Sequence, residues 1–200
     1  IVVEETPEIV LPQEHKVKMN TAKQVNVSLD KLIENTFRMR PDRVIVGEIR
    51  SPAEGSAFVN TMLAGQAKGS YATFHAESAN EALERLASFN IQKSALGALD
   101  LIVVQKRITK INTKNNSRRE ERQVTQICEI LKDKDTIKLN PLFFLGKKEN
   151  DSIRVKEKIK QTFSFTESQY KKFLKEKEHV LSKLNQDVSF NEFFEIVENE

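Results

Sequence analysis

PDRVIVGEIRSPAEGSAFVNTMLAGQAKGSYATFHAESANEALERL, residues 41–86, reads as strand, helix, strand, helix. Its first strand, Arg43 to Ile49, is a short β-branched run (Val44, Ile45, Val46) that closes on Gly47-Glu48. A run of that length and composition suits a strand buried on both faces of a parallel sheet. A second strand, Ser70 to Phe74, repeats the pattern and delivers His75. Open α/β sheets bind ligands at the carboxyl ends of their strands. Glu48 and His75 are therefore candidate site residues, and the fold class expected is α/β.

Around this stretch the punctuation is consistent. Ser28 is placed to cap a helix over residues 29–39, with Leu29, Leu32, Ile33, Thr36 and Phe37 on one face. Pro41 ends that helix. Ser51-Pro52 opens the next, for which Ala53, Ala57, Phe58, Met62 and Leu63 are the expected buried stripe and Gly65 the stop. Ser78 and Glu81 form the signature of a capping box, and Leu83, Leu86 and Phe89 continue its helix. Upstream, Ile1 to Glu4 is a core strand, followed by an acidic turn in which Pro7 constrains Glu8. Alternation over residues 13–26 suggests a polar hairpin. Downstream, residues 101–107 read as a third apolar strand. Residues 124–131 and 136–139 read as an antiparallel pair after a basic loop over 112–122.

From residue 146 the composition becomes Lys/Glu-rich with helical spacing. Residues 1–145 are thus expected to form the main domain and 146–200 a small helical tail. In the tail, Thr166 caps a helix to about Leu184, with Leu174, Val180, Leu181 and Leu184 as its buried face. Phe190, Phe193, Phe194, Ile196 and Val197 mark a last short helix.

Two hundred residues, 38% hydrophobic and 30% charged, describe a globular chain with room for one substantial core and an appendage. Apolar runs reach only four residues, as at 101–104, far short of the ~18 that a membrane span needs. The opening IVVEETPE has neither an initiator Met nor a basic leader and reads as the interior of a domain. The single cysteine, Cys128, reads as a buried strand residue and fits a reducing cytoplasm. Net charge is +3; residues 1–100 hold 11 Lys/Arg against 13 Asp/Glu, and 101–200 hold 21 against 16. Lysines dispersed among glutamates describe a solvated helical surface, so nucleic acid is disfavoured as a partner.

A buried strand ending in Glu, a second ending in His, an acidic turn and nearby arginines together fit phosphoryl-transfer hydrolysis. That chemistry needs a carboxylate to orient water or metal, and cations for developing charge. Arg38, Arg40, Arg43 and Arg50 bracket the Glu48 strand, and guanidinium pairs with phosphate in a fork. A metal-dependent hydrolase fits less well, because His15, His75 and His179 lie far apart without ligand spacing.

The chain resembles the type II/type IV secretion and pilus hexameric ATPases, a RecA-like family that includes motors of the archaeal swimming filament. FRMRPDRVIVGEIRS (37–51) is similar to its Walker B segment, with Glu48 in place of the usual aspartate-led ending. GSYATFHAESANEALERL (69–86) is similar to its His box, and IVVEETPEIVLP (1–12) to its acidic box, with Glu4 and Glu8 at the carboxylate positions. The finer letters look archaeal rather than bacterial. The resemblance implies a partial RecA-like parallel or mixed sheet with flanking helices, an antiparallel strand pair and the helical tail. It implies ATP and Mg²⁺ as cofactors and Glu8 as the base that positions water. Glu48 would be the Mg²⁺ holder through water and a partner in activating it, and His75 the contact to the γ-phosphate. Glu4, Arg38, Arg40 and Arg50 become nucleotide-binding candidates, the arginines acting in cis or across a subunit boundary. A bracing role for arginine at Glu5 or Asp42, and for Glu4 in holding the turn, stays open. A homo-hexameric ring, cytoplasmic and peripheral to the membrane, working on an inner-membrane platform protein, is also implied.

One element departs from the family pattern. No GxxxxGK[ST] occurs in the 200 residues, and Gly146-Lys147 lacks both the leading glycine and the following Ser/Thr. The chain is therefore expected to be the C-terminal portion of such a motor, inactive by itself. A non-catalytic ATPase-like subunit that assembles with an active paralogue is the alternative.

Overall fold

The computed structural model describes residues 1–65, 69–113, 116–134, 136–183, 188–189 and 192–193. In chain order the elements are β1 (Val2–Glu4), β2 (Lys18–Asn20), α1 (Leu29–Thr36), β3 (Arg43–Ile49), α2 (Pro52–Leu63), β4 (Gly69–Phe74), α3 (Ala79–Ser88) and α4 (Lys93–Leu96). They continue with β5 (Leu101–Asn112), β6 (Ser117–Asp133), β7 (Thr136–Phe144), β8 (Lys147–Lys148), α5 (Arg154–Phe163) and α6 (Glu167–Ser182). The chain divides into two compact units. One is Ile1–Ile9 with Lys16–Ser152; the other is Val10–His15 with Ile153–Glu200.

The first unit holds two sheets. Four parallel strands run in the order β2-β1-β3-β4, and four antiparallel strands follow as β5-β6-β7-β8. The α/β class read from residues 41–86 is the observed one. Val3, Val44 and Val46 pack with Leu29, Leu32 and Ile33 of α1 and with Ala57 and Phe58 of α2. Val3, Ile33 and Val46 are wholly buried. Each side chain of that size withdrawn from water contributes about 1.5–3 kcal/mol, so the helix–sheet seam holds the parallel sheet together. A second cluster joins Val59, Leu86, Ile91 and Leu96. Cys128 is buried beside Ala79 and Val104, and burial pushes its thiol pKa up, as expected of a packing residue.

Several local expectations are corrected. Residues 13–26 do not form a hairpin; Lys18–Asn20 is instead a parallel edge strand against β1, and an Ala22–Val27 bridge closes a short 3-10 turn. The alternation was real, with Met19 packed inward and its neighbours out, but alternation reports a half-buried strand and not its direction. Most of the basic loop over 112–122 is strand, since β5 and β6 pair from Leu101↔Glu129 to Asn112↔Ser117. A two-stranded ribbon with no core face has no apolar period to betray it. On α2 the buried positions are Gly55, Ala57, Phe58, Val59 and Thr61, while Ala53 and Leu63 are exposed. Ser28 occupies the N-cap of α1 without a side-chain capping bond. Ser78 caps α3 through the Glu81 amide, but the Glu81 carboxylate takes the Glu77 amide at 2.8 Å and so leaves the box open.

In the second unit Thr166 caps α6 in a closed capping box with Gln169. Phe163, Phe165 and Phe173 form an aromatic cluster with ring centroids 5.3–6.0 Å apart. Tyr170 and Val180 are the buried residues of α6, whereas Leu174 and Leu181 are exposed. Leu184, Phe190, Phe194, Ile196 and Val197 lie outside the described residues.

Gly55 gives a direct check on the packing. A Cβ there would stand 2.9 Å from the Phe89 ring and 3.3 Å from Ile91. Gly55→Val should therefore lower stability by about 1–3 kcal/mol in urea unfolding, although replacing a helix-interior glycine on a free surface would raise it.

Candidate functional site

Three parallel neighbours, β1, β3 and β4, end on one edge of the sheet, and each delivers polar groups there. β1 ends in Glu4, β3 carries Glu48 at its penultimate position, and β4 leads into His75. Val2 pairs with Ile45, and Val46 with Ala72, so the three ends are aligned across the sheet.

Glu48 faces outward because β3 is bulged. Val44 and Val46 point to the core, and strict alternation would bury Glu48 beside them. Between Val46↔Ala72 and Ile49↔Phe74 the ladder gains one residue on β3. That residue reverses the phase: Ile49 becomes the buried side chain, and Glu48 is turned to the edge. The Thr73 hydroxyl donates to the Gly47 carbonyl within the bulge. Gly47 is needed for a second reason, since a Cβ at this position would lie 3.1 Å from Glu4 Cγ.

The Glu48 carboxylate is held from both sides. Its Oε1 lies 2.8 Å from His75 Nε2. Its Oε2 accepts from Arg50 Nε at 2.8 Å, with Arg50 Nη2 at 2.6 Å. Arg50 Nη1 reaches Glu5 Oε2 at 2.6 Å, so one guanidinium ties β3 to the turn after β1. The Arg50 backbone is fixed in turn by the α2 capping box, where Glu54 Oε2 accepts from the Arg50 and Ser51 amides. The hydrogen bond from Arg50 holds the Glu48 pKa below the usual carboxylate range; burial opposes this, and the charges of Arg50 and His75 add to it. Glu48 in turn raises the guanidinium pKa of Arg50. Glu48 is thus an ionised, oriented carboxylate at neutral pH.

Glu4 organises the acidic turn. It is 2% exposed, and its Oε1 accepts from the amides of Glu8 (2.9 Å) and Ile9 (2.8 Å). Its carbonyl accepts from the Thr21 amide at 3.1 Å. Its Oε2 is buried with no hydrogen-bond partner among the described residues. Glu4, Glu5, Glu8, Glu48, Arg50 and Thr73 line a cleft of about 230 Å³. Carboxylate and hydroxyl oxygens are the hard donors that Mg²⁺ prefers, and the orphaned Glu4 oxygen invites water or a water-bound cation. Among the described residues no three acidic or imidazole groups converge into a direct ligand set.

Of the residues singled out from sequence, Glu4, Glu8, Glu48 and Arg50 line this cleft, and His75 touches Glu48 beside it. Arg38 lies in the 3-10 turn after α1, and left-handed Arg40 precedes β3. Both precede the amino end of the strand, and that end, at Arg43, is itself five residues or ~16 Å from Glu48. One chain does not bring them to the cleft. Sequence reasoning passed over Thr73 and Arg85. Arg85 donates to the His75 carbonyl and stacks its guanidinium 5.0 Å from the Phe74 ring centroid. Its place seven residues after the Ser78 cap, two turns into α3 and on the side of His75, was the available signal.

The chain matches the family described as Type II/IV secretion system protein over residues 1–189. It belongs to that family. Protein VirB11 of Agrobacterium fabrum is 34% identical over 102 residues, which is 49% of this chain and 29% of that protein. An uncharacterised protein, MJ0781, of Methanocaldococcus jannaschii is 42% identical over 65 residues, 30% of this chain and 9% of its own length. The crystal structure of the VirB11 ATPase from the Brucella suis type IV secretion system, in complex with sulphate, superposes with a TM-score of 0.46. Sequence identity there is 21%, with 63% of this chain and 38% of that one covered. The matches thus span less than a third of the length of these curated relatives. Among the described residues no helix is long and apolar enough to cross a membrane.

The electrostatics of Glu48 fix a pH response. A carboxylate whose folded pKa is lowered contributes stability that is fully present above its unfolded value, near 4.5, and is lost as pH falls through the folded value. In urea unfolding on the acid side of pH 4.5, the native chain should therefore lose stability more steeply than Glu48→Gln. The two curves should run parallel near neutral pH.

Proposed function

We propose that residues 1–145 are the C-terminal part of the RecA-like ATPase domain of a type II/IV secretion motor, with 146–200 as its helical tail. In this reading the motor couples ATP hydrolysis to transport or filament assembly. The observation that carries it is the meeting of Glu48, His75, Arg50 and the Glu4-built turn on one edge of a parallel sheet.

Mg-ATP, when bound, supplies the phosphoanhydride and a cation that neutralises charge on the leaving phosphates. Glu8, on a turn fixed by Glu4, positions the attacking water and takes its proton. Glu48, kept ionised by Arg50, holds the water shell of the metal. His75 is 87% exposed at its side chain and, among the described residues, is anchored at one ring nitrogen and its carbonyl, so it can exchange Glu48 for the γ-phosphate and report its loss. Arg38 and Arg40, on the far end of the strand, serve a neighbouring subunit in a homo-hexameric ring, in keeping with a cytoplasmic motor pressed on an inner-membrane platform protein.

A phosphate cradle has to come from polypeptide outside the 200 residues, and a slot in the first unit supports this. β4 closes one sheet and β5 opens the other, and a cavity of about 350 Å³ lies between them. It is lined by consecutive residues, 72–74 of β4 and 101–105 of β5. A cavity over a sheet face would meet alternate residues; one that meets consecutive residues lies along two strand edges. Phe58, Val59, Leu86 and Leu99 complete apolar walls. One added strand parallel to β4 would fit this slot, and a glycine-rich turn at its carboxyl end would emerge beside His75 and Glu48.

The test is nucleotide turnover by the complete reading frame against that of the 200 residues. The complete protein should hydrolyse Mg-ATP, and the 200-residue chain should not. In the complete protein Glu48→Gln should leave ATP binding within a few-fold and cut kcat by about 10²-fold or more. Undiminished turnover in that variant, or turnover by the 200 residues alone, would overturn the reading.

A further inference from the structure

The chain between β4 and α3 is a short turn, His75 to Ser78, and the first two turns of α3 hold it at three points. Arg85 Nη1 donates to the His75 carbonyl. Glu81 Oε2 accepts from the Glu77 amide at 2.8 Å, and Ser78 Oγ accepts from the Glu81 amide at 3.2 Å. A glutamate at the third helical position ordinarily returns to the amide of the N-cap. Glu54 of α2 does so, taking the Ser51 amide at 3.0 Å, and it also takes the Arg50 amide at 2.7 Å. Glu81 reaches past its cap to the turn before it. Both helices thus use the same position to fix the backbone beside a site residue, Arg50 in one case and His75 in the other.

Arg85 stands on a platform of its own. Its guanidinium lies 5.0 Å from the Phe74 ring centroid and 4.0 Å from Glu81 Oε1. The Phe74 ring packs edge-on against Phe89, with centroids 6.0 Å apart, so the platform is tied to the core. A guanidinium carries several donors in one plane and rests on an aromatic face while it bonds a carbonyl. Above this fixed backbone the imidazole is loose. Its side-chain contact among the described residues is Glu48, at 2.8 Å from Nε2, and the rest of the ring is exposed.

We propose that Arg85 and Glu81 are positioning residues for His75. They fix the turn, and the imidazole is then the part that moves when it exchanges Glu48 for the γ-phosphate. A turn free to shift would spread the imidazole over many positions, and a displacement of about 1 Å at a reacting centre costs up to about 10²-fold in rate. It would also absorb the loss of the phosphate locally, where a clamped turn passes it through Arg85 to α3. Both residues act through His75 and touch no reacting atom. The proposal rests on the ATPase reading, since it assigns the regulation of that same site.

The experiment is steady-state Mg-ATP turnover by the complete protein, with a thermal melt of each variant. Arg85→Met keeps the stem and removes the donors; it should lower kcat by about tenfold or more and leave KM for ATP within about threefold. Arg85→Lys, which keeps a donor and a cation over Phe74, should regain at least about threefold of that loss. Glu81→Ala should act like Arg85→Met, whereas Glu81→Gln keeps an acceptor for the Glu77 amide and should stay within about threefold of the native kcat. Glu84→Gln, exposed on the same helix, should change kcat by less than about twofold. On a His75→Ala background, Arg85→Met should cost less than about a further twofold, because residues that act as a unit are not additive. In the 200-residue chain, deuterium uptake at the Glu77 amide should quicken about tenfold or more in Arg85→Met and stay unchanged at Val44 and Val46. A native kcat in Arg85→Met or in His75→Ala, or full additivity of the two, would overturn the proposal and leave the ATPase reading standing. No turnover by the native complete protein would overturn that reading instead, and unchanged uptake at Glu77 would sink the clamp in either case.

Discussion

Parallel pairing of β1, β3 and β4 is the constraint from which the rest follows. Strands that run the same way end on the same edge, so the side chains that terminate them become neighbours however far apart they lie in sequence. Val3, Val44 and Val46 enforce this, because their burial against α1 and α2 fixes both the order and the register of the strands. Glu4 and Glu48 are separated by 43 intervening residues, yet Arg50 links the turn after one to the strand of the other. Charge is added to this edge only where the backbone can support it. The carboxylate of Glu4 uses one oxygen to fold a turn and leaves the other buried and unpaired, a local cost that the sheet's packing offsets.

The two carboxylates at the heart of the cleft differ in kind. Glu48 is a partnered group, with a cation on one oxygen and an imidazole on the other, and its ionisation is secured by those partners. Glu4 acts as an architectural group, with one oxygen bonded by backbone amides and the side chain shielded from solvent. Of the two roles open for Glu4, holding the turn has visible contacts, the Glu8 and Ile9 amides on its Oε1; among the described residues no cation pairs with it. The arginines are separated too. Arg50 braces Glu5 and Glu48 within the chain, while Arg38 and Arg40 stand before the opposite end of β3 and do not line the cleft.

Much of the site was legible because it rests on short-range rules. β-branched runs, a Ser-Pro helix start and strand-end polar residues are local signals, and they placed Glu48 and His75 on adjacent strands. What was not legible depends on information that a period does not carry. Alternation at residues 16–20 announces a strand without its direction, so it does not distinguish a parallel edge strand from half of a hairpin. The distal ribbon escaped notice because neither of its faces packs against a core, and its lysines and arginines read as loop. Arg38 and Arg40 looked close to Glu48 in sequence, but a strand converts a few residues into a distance that exceeds any side chain's reach.

The extra residue at Gly47-Glu48 has a consequence for how such segments are compared and transplanted. It works as a phase switch: upstream of it even-numbered positions of the strand belong to the interior, and downstream the odd-numbered ones do. An alignment that closes this position with a gap would match an outward acid to an inward aliphatic and misread both. Grafting the strand into another scaffold has the same requirement. The graft must bring Thr73 along with the slipped strand, since that neighbour's hydroxyl binds the carbonyl displaced by the switch.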